Sequence, residues 1–124
     1  MSDEITLTLP HEREFFDVAH LVVGGLAARL NLTLEHLEDL QTALESVLPA
    51  PALQGRVTLT LHVQSEAVTA TVGPFEEASL EDELDGTNDG VGLRRVLDAV
   101  SDEWRREHRG GGAWITFTKR VERA

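Results

Sequence analysis

Cysteine is absent from this chain. Its absence excludes disulfides, a thiolate metal site and a cysteine nucleophile. Long hydrophobic runs are missing too. The longest uncharged apolar stretch, Val18 to Ala28, contains His20 and two glycines. It falls well short of the ~20 residues a membrane-spanning helix needs. Basic charge is scarce: 11 Lys and Arg stand against 22 Asp and Glu, for a net charge of −11. That balance argues against nucleic acid as a direct partner, because phosphates would be repelled, and leaves room for a basic protein. The start, Met1-Ser2-Asp3-Glu4, is acidic where a secretory leader would be basic. A cytoplasmic protein, with no membrane partner, is the expectation. The 124 residues read as one domain, 1–124, long enough to bury a core.

Metal chemistry has little footing. The histidines His11, His20, His36, His62 and His108 show no paired zinc spacing. Residues 74–89 hold Glu76, Glu77, Glu81, Asp82, Glu83, Asp85 and Asp89 with no basic residue. A calcium loop with Gly86 at its sixth place would end on Gly92, and one with Gly90 there would end on Val96. Both lack the closing Glu. No metal site is expected. His62 and Glu45 can be imagined as an acid–base pair, but no pattern places them together.

What is present is alternation, then helical period. Ile5, Leu7 and Leu9 alternate with Thr6 and Thr8, a short strand stopped by Pro10. Phe15, Ala19, Val22, Leu26 and Leu30 recur at helical spacing, with Gly24-Gly25 read as close packing against a sheet. Asn31-Leu32-Thr33 breaks the helix, and Thr33 is an N-cap candidate. Leu37, Leu40, Leu44, Val47 and Leu48 mark a second helix, ended by Pro49 and Pro51. Val57 to Val63 and Val68 to Val72 form an antiparallel hairpin turned at Ser65-Glu66. Residues 74–89 read as one long irregular stretch, with Leu80 and Leu84 able to anchor a helical turn. A last helix is expected from about Val91 to Glu107, and a last strand from Ala113 to Lys119. The order is β-α-α-β-β-α-β: an α+β two-layer sandwich, its sheet mixed and mostly antiparallel, its helices on one face.

Asp89-Gly90-Val91-Gly92-Leu93 opens that last helix. Glycines at a helix N-terminus let backbone N–H groups approach a phosphate, and the helix dipole favours the negative charge. At its far end, Trp104 and Trp114 flank Arg105-Arg106-Glu107-His108-Arg109. Two readings stand: cations complementing a helix C-terminus, or a docking patch for an acidic partner.

This element order, the glycine-opened helix and the Gly-rich turn into a strand ending Thr118-Lys119-Arg120 resemble the GHKL (Bergerat) ATPase fold. More narrowly, Leu7-Thr8-Leu9-Pro10 and the run Leu32 to Ala43 resemble the anti-sigma-factor serine kinases of bacterial partner switching. The resemblance implies ATP and Mg²⁺ as cofactors of a functional site. It implies a sigma factor and an anti-anti-sigma antagonist as partners, the first helix and the acidic 76–89 stretch as contact surfaces, and a homodimer. It also implies a Glu on the second helix followed four residues later by an Asn that holds Mg²⁺. With Glu45 in the Glu place, Pro49 stands where the Asn belongs; one residue on, Ser46 is followed by Ala50. The family's adenine-binding Asp falls in Thr71-Val72-Gly73-Pro74-Phe75, which has no acid. Gly90 and Gly92 match the phosphate-side glycines. The expectation is therefore a degenerate member, acting by protein binding without a cofactor. If the site were active, Glu45 would be the general base, and Ser46, Gly73, Asp89, Gly90 and Gly92 the nucleotide-binding residues of a serine kinase. A non-sigma interaction module on the same fold is the remaining alternative.

Overall fold

The period-two pattern of residues 57–63 builds the middle of a five-stranded sheet. A computed structural model describes residues 3–86 and 92–121. The elements are β1 (Asp3–Pro10), α1 (Arg13–Leu30), α2 (Leu34–Val47), β2 (Leu53–Val63), β3 (Ala67–Phe75), α3 (Glu77–Asp85), α4 (Leu93–Val100), β4 (Glu103–Arg109) and β5 (Gly112–Arg120). The strands lie in the order β1-β2-β3-β5-β4. All four pairings are antiparallel, so the expected mixed sheet is corrected to a uniform one.

Alternation divides the sheet into two unlike faces. One carries Val57, Leu59, Leu61, Val68, Ala70, Val72, Ala113, Ile115 and Phe117, all buried. Against it pack Ala19 and Val23 of α1, Leu40, Ala43, Leu44 and Val47 of α2, Leu80 and Leu84 of α3, and Leu93 and Leu97 of α4. The other face is rich in threonine. Thr6 bonds Thr60, Thr8 bonds Thr58, Thr69 bonds Thr118 and Thr71 bonds Thr116, each at 3.1–3.3 Å. These are cross-strand neighbours, so each hydroxyl finds a partner on its own sheet. The α+β two-layer sandwich with helices on one face is thus observed.

The caps follow the sequence. Asn31 ends α1 in the left-handed conformation, with its N–H on the carbonyls of Ala27 and Ala28. Thr33 starts α2, its hydroxyl accepting from the His36 N–H at 3.2 Å.

Two stretches differ from expectation. Residues 74–85 are not irregular: β3 runs on to Phe75, and α3 follows. Leu80 and Leu84 are fully buried. Each burial stabilises by about 1.5–3 kcal/mol, enough to hold a short acidic helix on the core. The expected long last helix is likewise corrected. α4 stops at Val100, and β4 begins at Glu103. The cause lies at Gly110 and Gly111, whose φ values are +52° and +89°. Two successive positive φ values make the tight hairpin turn that pairs Arg109 with Gly112. The basic run is therefore an edge strand, and not a helix C-terminus. The order gains two elements over the expected seven.

Candidate functional site

Glu45 is exposed near the end of α2. It lines a cavity of about 320 Å³ with Arg13, Phe16, Asp17 and His20 of α1, and with Leu44, Leu48 and Pro49. The two helices are tied beside it: His20 donates from Nδ1 to Gln41 Oε1, and Gln41 Nε2 donates to the His20 carbonyl at 3.0 Å. His11 Nε2 donates to the Leu48 carbonyl at 2.8 Å, satisfying one of the α2 carbonyls that the helix end leaves without partners. Ser46 is half-buried on the next position and does not line the cavity. His62 pairs with Glu4 and Thr69, on the threonine-bearing face. Glu45 lies in the helix layer, so the imagined acid–base pair is separated by the sheet.

Gly92 caps α4 in an entirely different setting. A methyl there would collide with the carbonyl oxygen of Leu84, and would lie 2.7 Å from the Gly86 nitrogen and 2.8 Å from the Asp85 carbonyl carbon. The start of α4 is pressed onto the end of α3. Asp89 and Gly90, also expected at the phosphates, lie outside the described residues.

Gly73 is buried on the threonine-bearing side. A methyl there would lie 2.6–2.7 Å from the Trp114 ring and 3.0 Å from the Ala113 carbonyl oxygen. Arg109 stacks over the same indole, 5.5 Å from its centroid. Glu45, Gly73 and Gly92 therefore have three separate sets of neighbours.

A charge relationship invisible in the sequence joins α3 to β4. Arg106 pairs with Glu81 and donates to the Glu77 carbonyl at 3.4 Å, while His108 Nδ1 lies 2.6 Å from the Glu77 carboxylate. Asp85 pairs with Arg94 at 3.6 Å. The acidic and basic runs face each other. The available signal was spacing: 77 and 81 share a helix face, and 106 and 108 share a strand face. On the other side of β4, Arg105 and Arg109 hydrogen-bond Glu107 and hold its carboxyl below the ordinary range. Glu83, half-buried on α3, is pushed the other way by burial, against opposing contributions from the Ala52 N–H and the His11 charge. Among the described residues no group of three or more His, Asp or Glu is placed to hold a metal ion, and no helix is long and apolar enough to cross a membrane.

Among the described residues, four helices cover one face of a uniform antiparallel sheet, with α3 lying before the glycine-capped α4. The chain has an RsbW-like fold. It superposes on the crystal structure of the RsbU and RsbW domains of Rv1364c from Mycobacterium tuberculosis with a TM-score of 0.71 at 16% identity. The match covers 98% of the chain and 32% of that structure, so the chain spans about a third of its length. No protein-family model matches, and no curated protein matches. The likeness is one of fold: the shared order of strands and helices persists where few side chains do.

Proposed function

We infer that the chain is an anti-sigma-type partner-switching regulator that acts by binding protein without ATP. The observation that carries this reading is the contact between Gly92 and the end of α3. A helix N-terminus serves a phosphate when its N–H groups face open space. Here the contact with Leu84, Asp85 and Gly86 leaves no room for a side chain at Gly92, so packing of α4 on α3 accounts for the glycine with no phosphate needed. Leu80 and Leu84 anchor the crowding helix in the core, with Arg106 and His108 clasping its flank.

The donor chemistry supports the same reading. Mg²⁺ takes hard oxygen ligands. Pro49 and Ala50, at the two candidate positions, offer no side-chain oxygen. ATP–Mg²⁺ does not suit these residues. The RsbW-like fold supports a protein partner, for which a sigma factor or an antagonist of one is proposed.

Calorimetric titration with ATP and Mg²⁺ tests the nucleotide half: no heat of binding at micromolar ATP is expected. Micromolar affinity would overturn it. Affinity capture from the native cytoplasm tests the partner half, with a sigma factor or its antagonist expected. Recovery of neither counts against the assignment.

A further inference from the structure

Arg13 and Asp17 of α1 and Glu45 of α2 surround the cavity between the two helices. None of the three has an ion pair among the described residues. Arg13 and Asp17 stand one turn apart, with ~6 Å between Cβ atoms, but the basic residue comes first, the weaker order for a pair within a helix.

A fourth polar group is set by a relay. Gln41 Nε2 donates to the His20 carbonyl, which turns Oε1 of the same amide toward the imidazole. An amide oxygen can only accept, so Nδ1 of His20 carries the proton. Nε2 of the neutral ring is then an acceptor, and it has no hydrogen-bond partner among the described residues. The rest of the wall is apolar: Leu44 and Leu48 are buried and Phe16 is half-buried. A volume of about 320 Å³ sits at the lower end of the range for small-ligand pockets.

Gly24 and Gly25 were expected to pack on the sheet. They do not: a methyl on Gly25 would meet nothing within 4 Å, and one on Gly24 only the Gln41 amide at 3.9 Å. With Asp17 and His20 they line a shallow, open hollow that adjoins the cavity. Large side chains in their place would fill this approach.

We propose that the cavity between α1 and α2 binds a free α-amino acid with an apolar side chain. Asp17, Glu45 and His20 Nε2 take its ammonium, Arg13 takes its carboxylate, and Phe16, Leu44 and Leu48 receive its side chain. A zwitterion matches both signs of charge at once. A simple cation leaves Arg13 unmatched, and a simple anion meets two carboxylates. The site is read from these side chains, independently of the functional reading above. A ligand held from both helices stabilises the folded chain by mass action.

The test is an NMR titration of the full isotope-labelled chain with leucine, and with leucinamide and isocaproate, which each lack one of its charges. Leucine should shift amides of residues 13–20 and 44–49 saturably and raise the melting temperature. Leucinamide and isocaproate should each bind roughly tenfold more weakly, the worth of one charge-assisted hydrogen bond. Arg13→Gln should weaken leucine by a similar factor and abolish its preference over leucinamide. The double variant Asp17→Asn, Glu45→Gln should abolish its preference over isocaproate. All three side chains are exposed, so the variants should fold, which far-UV circular dichroism checks. No saturable shift with millimolar leucine, equal binding of leucine and leucinamide to the parent chain, or shifts centred away from these two helices overturns the proposal.

Discussion

A methyl group on Gly92 would collide with the carbonyl oxygen of Leu84. The obstacle is backbone, which cannot swing aside as a side-chain tip can. Gly92→Ala should therefore push α4 away from α3 and destabilise the fold by about 1–3 kcal/mol. Urea unfolding measures this directly. A glycine kept only for phosphate contact would tolerate alanine with unchanged stability.

Gly73 and Trp114 form a second tight pair. Gly73→Ala places a methyl within 2.6 Å of the indole and should cost about 1–3 kcal/mol. Trp114→Ala removes the obstruction at its own cost in packing. The double variant should be more stable than the sum of the singles implies, a coupling that a double-mutant cycle reads. Additive costs would mean that the Ala113 carbonyl, 3.0 Å away, sets the limit instead.

Glu83 gives a pH dependence with a definite sign. Burial, the largest cause, raises its pKa in the folded state despite the Ala52 N–H and His11. The folded chain thus holds this proton more tightly than the unfolded chain. Its contribution is favourable below the ordinary carboxylate range and is lost as pH rises through the raised value. Glu83→Gln, which keeps an acceptor for the Ala52 N–H, should be more stable than the parent at pH 7. The advantage should shrink toward zero on acidification. Thermal melts across pH measure the difference, and a constant offset would contradict it.

Arg106 clasps α3 from β4, but the pair is largely exposed. Arg106→Ala should lower global stability by no more than about 1 kcal/mol. Its clearer effect should be local. Amides of α3 should exchange hydrogen several-fold faster while those of β2 and β3 are unchanged. Exchange that rises uniformly would mean that Arg106 supports the whole core.

What each segment packs against decides how plainly its residues announce it. Strands β2 and β3 alternate cleanly because one face is apolar and the other threonine. The expected hairpin, the two helices before it and the Thr33 cap were legible for that reason. Strand β4 was not. Of its inward residues, Arg106 and His108 are polar because they meet the acidic α3, and Trp104 alone lies against α4 and the core. Helix α3 was hidden by its own acids, and only Leu80 and Leu84 marked it. The signal lay in the pairing of two runs about 25 residues apart, which no local window contains. Glu45, Gly73 and Gly92 read as parts of one site when aligned to a family pattern. Their neighbours differ because Gly73 points to the threonine side, Glu45 borders α1, and Gly92 abuts α3.

The threonine-bearing face has a consequence for crowding. Its four hydroxyl pairs bond across strands at 3.1–3.3 Å, each bond using one donor and one acceptor and leaving the remaining hydroxyl capacity to water. Such a surface offers an approaching molecule neither strong charge in its central rows nor a greasy patch to grip. Half of the sheet can thus stand bare in a concentrated solution without a third layer to cover it, and stickiness is concentrated on the helical side.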